Sequence, residues 1–107
     1  MTGSPAVLRD FTPQELSDAL ARGEAVLVDV REAEEFHAAR IAGAVLLPLS
    51  QFDPLALPPG AVVLQCGVGK RSRMAAGICA QAGVAVAGHL AGGLSAWAAQ
   101  GLPLEHG

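Results

Sequence analysis

The stretch Leu64-Gln65-Cys66-Gly67-Val68-Gly69-Lys70-Arg71-Ser72 combines a nucleophile, two glycines and two cations in one short span. An apolar run ends at Cys66, a glycine-bearing loop follows, and a helix is expected to begin near Ser72. In an open α/β sheet, ligands bind at the carboxyl ends of the strands. Gly67 and Gly69 allow positive φ, so successive backbone N–H groups can turn inward and form a concave anion nest. A helix N-terminus behind the nest adds partial positive charge. A cysteine in that position is expected to ionise below the free value of about 8.5. Arg71 offers a forked donor suited to an oxyanion, and Lys70 a point charge that attracts one. Gly67, Val68, Gly69, Lys70 and Ser72 are thus candidate substrate-binding residues around a candidate catalytic pair, Cys66 and Arg71. The motif holds no obvious general acid, so the leaving group must already be a good one.

The other reactive side chains are weaker candidates. Cys79 sits among Ile78, Ala80 and Ala82 in an expected helix, about two turns in, and reads as core rather than as a resolving partner for Cys66. Asp29 and Arg31 flank the end of an apolar run. They are expected to act either as a shell holding the active loop or in an ordinary ion pair, with each other or with Glu32, Glu34 or Glu35, and the structural role is preferred. His37 lies among charged residues and is expected to be solvated; His89 precedes Gly92-Gly93 near an expected strand end and can approach the site. Neither has a metal-ligand companion at a useful spacing, so no metal site and no cofactor are expected.

The elements that position these groups follow from local pattern. Thr12-Pro13-Gln14-Glu15 carries a cap, a first-turn proline and the acidic end of a capping box. Leu16, Ala19 and Leu20 then share a face and Gly23 supplies the stop. The continuous apolar runs Ala25–Val30 and Ala61–Cys66 read as strands buried on both faces. Weaker strands are expected at Ala44–Leu47, closed by Pro48, and at Val84–Ala87 after Gly83. Ser72–Ala82 is expected to be helical, as is Ser95–Gln100 with Trp97 as core, and Gly92-Gly93 forms a helix entrance. Alternation of this kind implies an α/β fold, a mostly parallel sheet of about five strands with helices on both faces.

Composition bounds the remaining possibilities. The 107 residues are 51% hydrophobic and 16% charged, room for one domain, 1–107, with its core at about 6–104. Only 4% are aromatic, so the core must come from Ala, Val and Leu. The net charge of −3 and the single lysine leave no basic face to track a nucleic acid. Two cysteines with twelve residues between them make neither a disulfide scaffold nor a zinc pair. Met1–Pro5 lacks a signal-peptide pattern, and no apolar run approaches the ~18–20 residues of a membrane span. A cytoplasmic protein without membrane contact, monomer or homodimer, is the expectation.

Three blocks in register give the chain a family likeness. They are Leu27-Val28-Asp29-Val30-Arg31-Glu32 with Glu35-Phe36, Ile41-Ala42-Gly43-Ala44 and Pro48; Cys66 to Ser72 with Ala75-Ala76; and Leu90-Ala91-Gly92-Gly93-Leu94 with Trp97, Gly101 and Pro103. In these the sequence resembles the rhodanese-like sulfurtransferases over almost its whole length. It departs from them at Ala39-Arg40-Ile41-Ala42-Gly43-Ala44, where the family often has Gly-His-Ile-Pro-Gly-Ala, which bears on a scaffold turn. It departs again at Gly67, where many members carry Arg or Gln, so its rim is less basic.

The resemblance implies a two-step sulfur transfer. The Cys66 thiolate would attack the outer sulfur of a small anionic donor such as thiosulfate, leaving a persulfide that a thiol or protein acceptor then discharges. Sulfite needs no proton on departure, in keeping with the absence of an acid beside Cys66. Arsenate reduction and a cysteine phosphatase are the enzymatic alternatives. The phosphatase loop, however, has one residue more between Cys and Arg than the four here, and His where this chain has Gln65. A rhodanese-like binding or regulatory module is the non-enzymatic alternative, usually marked by loss of the cysteine that this chain retains.

Overall fold

The computed structural model describes residues 8–107, so Met1–Pro5 and the first residues of the expected core lie outside it. Its strands are β1 (Asp10–Phe11), β2 (Val26–Asp29), β3 (Ala39–Arg40), β4 (Val45–Leu46), β5 (Val62–Gln65), β6 (Gly88–Leu90) and β7 (Glu105–His106). Five of them form one sheet in the order β1-β6-β5-β2-β4, and β3 pairs separately with β7. Every pairing in the five-stranded sheet is parallel. The four α-helices are α1 (Pro13–Ala21), α2 (Ala33–Ala38), α3 (Lys70–Gln81) and α4 (Gly93–Ala99).

The two apolar runs occupy the middle of the sheet, where both faces need cover. Register pairs Leu27 with Val63 and Val28 with Leu64, so successive residues point to opposite faces. Leu27 and Val63 join Phe11, Leu16, Leu90 and Trp97 on one side, beneath α1 and α4. Val28 and Leu64 join Val62, Cys66, Ala75 and Ala76 on the other, beneath α3. Each fully buried Leu or Val stabilises the fold by roughly 1.5–3 kcal/mol relative to an exposed one. This explains why the central strands hold so few polar residues. The α1 capping box forms as expected: Thr12 Oγ1 accepts from the Glu15 N–H at 3.1 Å, and Glu15 Oε1 from the Thr12 N–H at 2.9 Å.

Several boundaries differ from the sequence-based expectation. The strand expected at Val84–Ala87 is displaced to Gly88–Leu90, which is β6. Val84 N–H still bonds to Cys79 O at the end of α3, and backbone hydrogen bonding to the sheet starts only where Ala87 N–H reaches Val62 O at 2.7 Å. Residues 84–86 are used up in travelling from the helix end back to sheet level. At Gly88 a Cβ would collide with Arg9 O and with the Phe11 ring, so the strand enters through a glycine. Helix α3 starts at Lys70 rather than near Ser72, and α4 at Gly93 rather than Ser95. Each begins one residue after a glycine with positive φ, Gly69 at +101° and Gly92 at +74°. Helix α2 carries no buried residue and so shows no apolar stripe to announce it.

Candidate active site

Cys66 follows the last residue of β5, at the carboxyl end of the sheet, with 1% of its surface exposed. The loop after it is pinned from behind by α4. Leu94 N–H donates to Cys66 O at 2.8 Å, and Ser95 N–H to Gly67 O at 3.0 Å. With these carbonyls taken, the loop's N–H groups are left for the sulfur, and Gly69 N–H donates to Cys66 Sγ at 3.0 Å. Gly93 makes the approach possible: a Cβ there would overlap Cys66 O and lie 2.6 Å from the Gly67 carbonyl. Gln65 Nε2 also donates to Cys66 O, while the buried Gln65 Oε1 has no partner among the described residues.

The surroundings of Cys66 work in opposite directions on its ionisation. Burial pushes the thiol up. The Ser72 hydroxyl and the backbone N–H groups of Ser72, Gly69 and Val68 pull it down, and the net direction is down. Cys79, buried in α3 without such donors, is pushed up. The two thiols therefore differ in the direction that separates a reactive cysteine from an inert one.

The candidate rim residues are not equivalent. Lys70 and Val68 are exposed, Val68 at 58%. Arg71 instead gives Nη1 and Nη2 to the two carboxylate oxygens of Glu35, at 2.6 and 2.9 Å. Its guanidinium lies against Gly67, whose added Cβ would be 3.3 Å from Nη2. The Arg71 fork holds the Glu35 carboxyl down at about 2 and is itself pushed up in return. Arg71 thus ties the start of α3 to α2. No sequence signal pairs it with Glu35, which stands 36 positions earlier.

Asp29 and Arg31 form a buried pair of their own. Arg31 Nε and Nη2 reach the Asp29 carboxylate at 3.1 and 2.8 Å, and Asp29 Oδ1 also accepts Arg31 N–H at 2.9 Å. Arg31 then spends its remaining donors on Ala39 O at 2.7 Å and Glu35 O at 3.4 Å. The pair fixes the C-terminal end of α2 and, through it, the element that carries Glu35 to Arg71. Asp29 and Arg31 are thus each other's ionic partner.

Ser72 and His89 meet at the same site. Ser72 Oγ lies 3.6 Å from Cys66 Sγ and 2.9 Å from His89 Nδ1, and His89 Nε2 lies 2.9 Å from Asp10 Oδ1. The three described clefts lie elsewhere on the molecule and none includes Cys66. Among the described residues no three His, Cys, Asp or Glu side chains gather as a metal centre requires. None of the described helices is long and apolar enough to cross a membrane.

A strand-end cysteine, a glycine-capped helix and a five-stranded parallel sheet are therefore assembled as the three sequence blocks imply. A family model for the rhodanese-like domain matches residues 12–100. The chain belongs to the rhodanese-like family. This rhodanese-like chain is 41% identical over 99 residues to the probable adenylyltransferase/sulfurtransferase MoeZ of Mycobacterium tuberculosis, covering 87% of this chain and 25% of that protein. It is 32% identical over 99 residues to the thiosulfate sulfurtransferase GlpE of Actinobacillus succinogenes, covering 90% and 89%. It is also 40% identical over 96 residues to an uncharacterized Synechocystis protein, covering 87% and 54%. The chain thus spans about half the length of one of these relatives and a quarter of another. A rhodanese-related protein of Thermoplasma volcanium has the same fold, with a TM-score of 0.80 at 24% identity over 91% of this chain and 97% of that one.

Proposed function

We propose that this rhodanese-like chain is a sulfurtransferase that carries a sulfane sulfur as a Cys66 persulfide. The observation that supports it most is the bond from Gly69 N–H to Cys66 Sγ, made by a loop whose Cys66 and Gly67 carbonyls are held by α4. A donor of the thiosulfate type fits an exposed cation, Lys70, beside a thiol whose ionisation is favoured. Its relative GlpE is named for that activity.

The Cys66 thiolate attacks the outer sulfur of the donor. An S–S bond to Sγ forms, the donor's own S–S bond breaks, and sulfite leaves with the electron pair. The persulfide's terminal sulfur carries negative charge, and the loop N–H groups of Gly67 to Ser72 are the donors available to it. A thiol acceptor, small or on a partner protein, attacks that terminal sulfur and releases Cys66 as thiolate. Two half-reactions on one nucleophile give ping-pong kinetics. In this scheme Cys66 is the catalytic residue, Lys70 attracts the donor, Arg71 holds the loop against α2 through Glu35, and Asp29 with Arg31 anchors α2.

Intact mass after thiosulfate treatment tests the reading. The wild type should gain one sulfur atom, removed by cyanide or dithiothreitol, and Cys66→Ser should gain none. No gain in a folded wild type overturns it, and Cys66-dependent hydrolysis of an aryl phosphate without persulfide moves the assignment to a phosphatase.

A further inference from the structure

Four polar groups make one line from the reactive sulfur to the surface. It runs Cys66 Sγ, Ser72 Oγ, His89 Nδ1, then His89 Nε2 and Asp10 Oδ1, with steps of 3.6, 2.9 and 2.9 Å. Cys66, Ser72 and His89 are buried, whereas the Asp10 side chain is 59% exposed. The line joins the end of β5, the first turn of α3, β6 and β1, four separate elements brought together by the parallel sheet. Both nitrogens of a fully buried imidazole are partnered by it.

Hydrogen counting decides what the line can do. A serine hydroxyl has one hydrogen, and Ser72 Oγ has three neighbours: Cys66 Sγ, His89 Nδ1 and, at 3.2 Å, Gly69 O. The Asp10 carboxylate accepts, so a neutral His89 keeps its hydrogen on Nε2 and leaves Nδ1 as an acceptor. Ser72 then donates to Nδ1 and turns a lone pair toward a Cys66 that is S–H. When His89 is an imidazolium, Nδ1–H donates to Ser72 Oγ, and the hydroxyl hydrogen is free for a Cys66 thiolate. The two arrangements differ only in where one proton sits.

We propose that Ser72, His89 and Asp10 are a proton relay that ionises Cys66. Cys66 S–H gives its proton to Ser72 Oγ as Ser72 gives its own to His89 Nδ1, producing a thiolate and an imidazolium held by the Asp10 carboxylate. Two protons each cross one hydrogen bond, the net transfer is one proton from sulfur to imidazole, and no other reactant is consumed. This deepens the sulfur-transfer reading of Cys66 and rests on it. Ser72 touches the reacting sulfur; His89 and Asp10 act through it as positioning residues.

Other charges are kept from the imidazole. On α3 the buried residues are Ser72, Ala75, Ala76 and Cys79, and the Cys79 thiol is pushed up by burial. Lys70 and Arg73 are exposed, and Arg71 is committed to Glu35. β5 offers Leu64 opposite His89, and beside β1 Arg9 lies over the Phe11 ring and within 3.9 Å of Glu15. The Asp10 carboxylate is the charge in hydrogen-bond contact with His89.

The test is the pH dependence of Cys66 alkylation by iodoacetamide, resolved from Cys79 by peptide mass. His89→Asn keeps an amide near the Nδ1 position but takes no proton. It and Ser72→Ala should raise the midpoint by at least about one pH unit, roughly a tenfold loss of thiolate below it. Asp10→Asn, at an exposed side chain that leaves the core intact, should shift it the same way by less. Should either buried variant fail to fold, the His89 ring resonances are titrated in wild type and Cys66→Ser; the relay requires their midpoint to move. Coincident alkylation midpoints in the folded variants, or a His89 titration indifferent to Cys66→Ser, overturns the relay. Thiosulfate treatment of the same samples separates the two proposals. A wild type that forms persulfide with unshifted variants fails the relay alone, and shifted variants without any persulfide fail sulfur transfer alone.

Discussion

Glu35 accepts both terminal nitrogens of Arg71, at 2.6 and 2.9 Å, across 36 positions of sequence. The contact fastens the first turn of α3 to α2 just beside the loop that carries Cys66. A guanidinium fork engaged in this way is a fixed strut, and its charge is largely spent on the carboxylate rather than left open to a donor anion.

Glu35→Gln should therefore lower stability by no more than about 1 kcal/mol at neutral pH, since both side chains are about a third exposed and water screens the pair. Folding depresses this carboxyl from 4.5 to about 2, so the unfolded chain binds more protons between those values. The stabilisation is complete above 4.5 and is lost as pH falls toward 2. Urea unfolding followed by the single tryptophan, the buried Trp97, should show the gap between wild type and variant closing through that window.

Arg71→Ala should slow persulfide formation at saturating donor more than it raises the KM for donor, because the loop loses its tie to α2. A variant whose sole defect is a raised KM would assign Arg71 to donor binding.

Asp29→Asn is expected to cost about 3–5 kcal/mol, since it leaves the Arg31 guanidinium buried without its counter-ion. Chemical denaturation measures this directly, and a loss under about 1 kcal/mol would show that the pair contributes little to holding α2.

Gly93→Ala combines a positive φ of +60° with overlap of the Cys66 and Gly67 carbonyls. The expected loss is at least about 2 kcal/mol. Since Leu94 and Ser95 hold the loop from behind, Cys66 alkylation should change in the same variant. Gly101→Ala is the control, because its φ is similarly positive but a Cβ there meets nothing within 4 Å. It should lose only the backbone part.

Cys79→Ser should leave sulfur transfer nearly intact and cost about 1–3 kcal/mol for a hydroxyl in a fully buried position. Loss of persulfide formation in this variant, with Cys66 present and the fold retained, would redirect the site assignment.

Local chemistry in the sequence already determined much of this protein. The capping box at Thr12 and Glu15, the buried runs that became β2 and β5, and the strand, cysteine, glycine loop and helix around Cys66 all depend on residues within a few positions of one another. Periodicity and caps act over one or two turns, which is why they are readable without a fold. The same locality explains the misses. Helix α2 buries nothing and so has no stripe to detect, and β6 starts at Gly88 because the path from α3 back to Val62 sets its register. Only the tertiary structure decided that Glu35 meets Arg71, and that Asp10, His89 and Ser72 line up behind Cys66. His89 and Asp10 are 79 positions apart, and parallel pairing of β1 with β6 places them side by side. Such contacts are set by strand order and by which face each residue shares, and neither quantity exists until the sheet has formed.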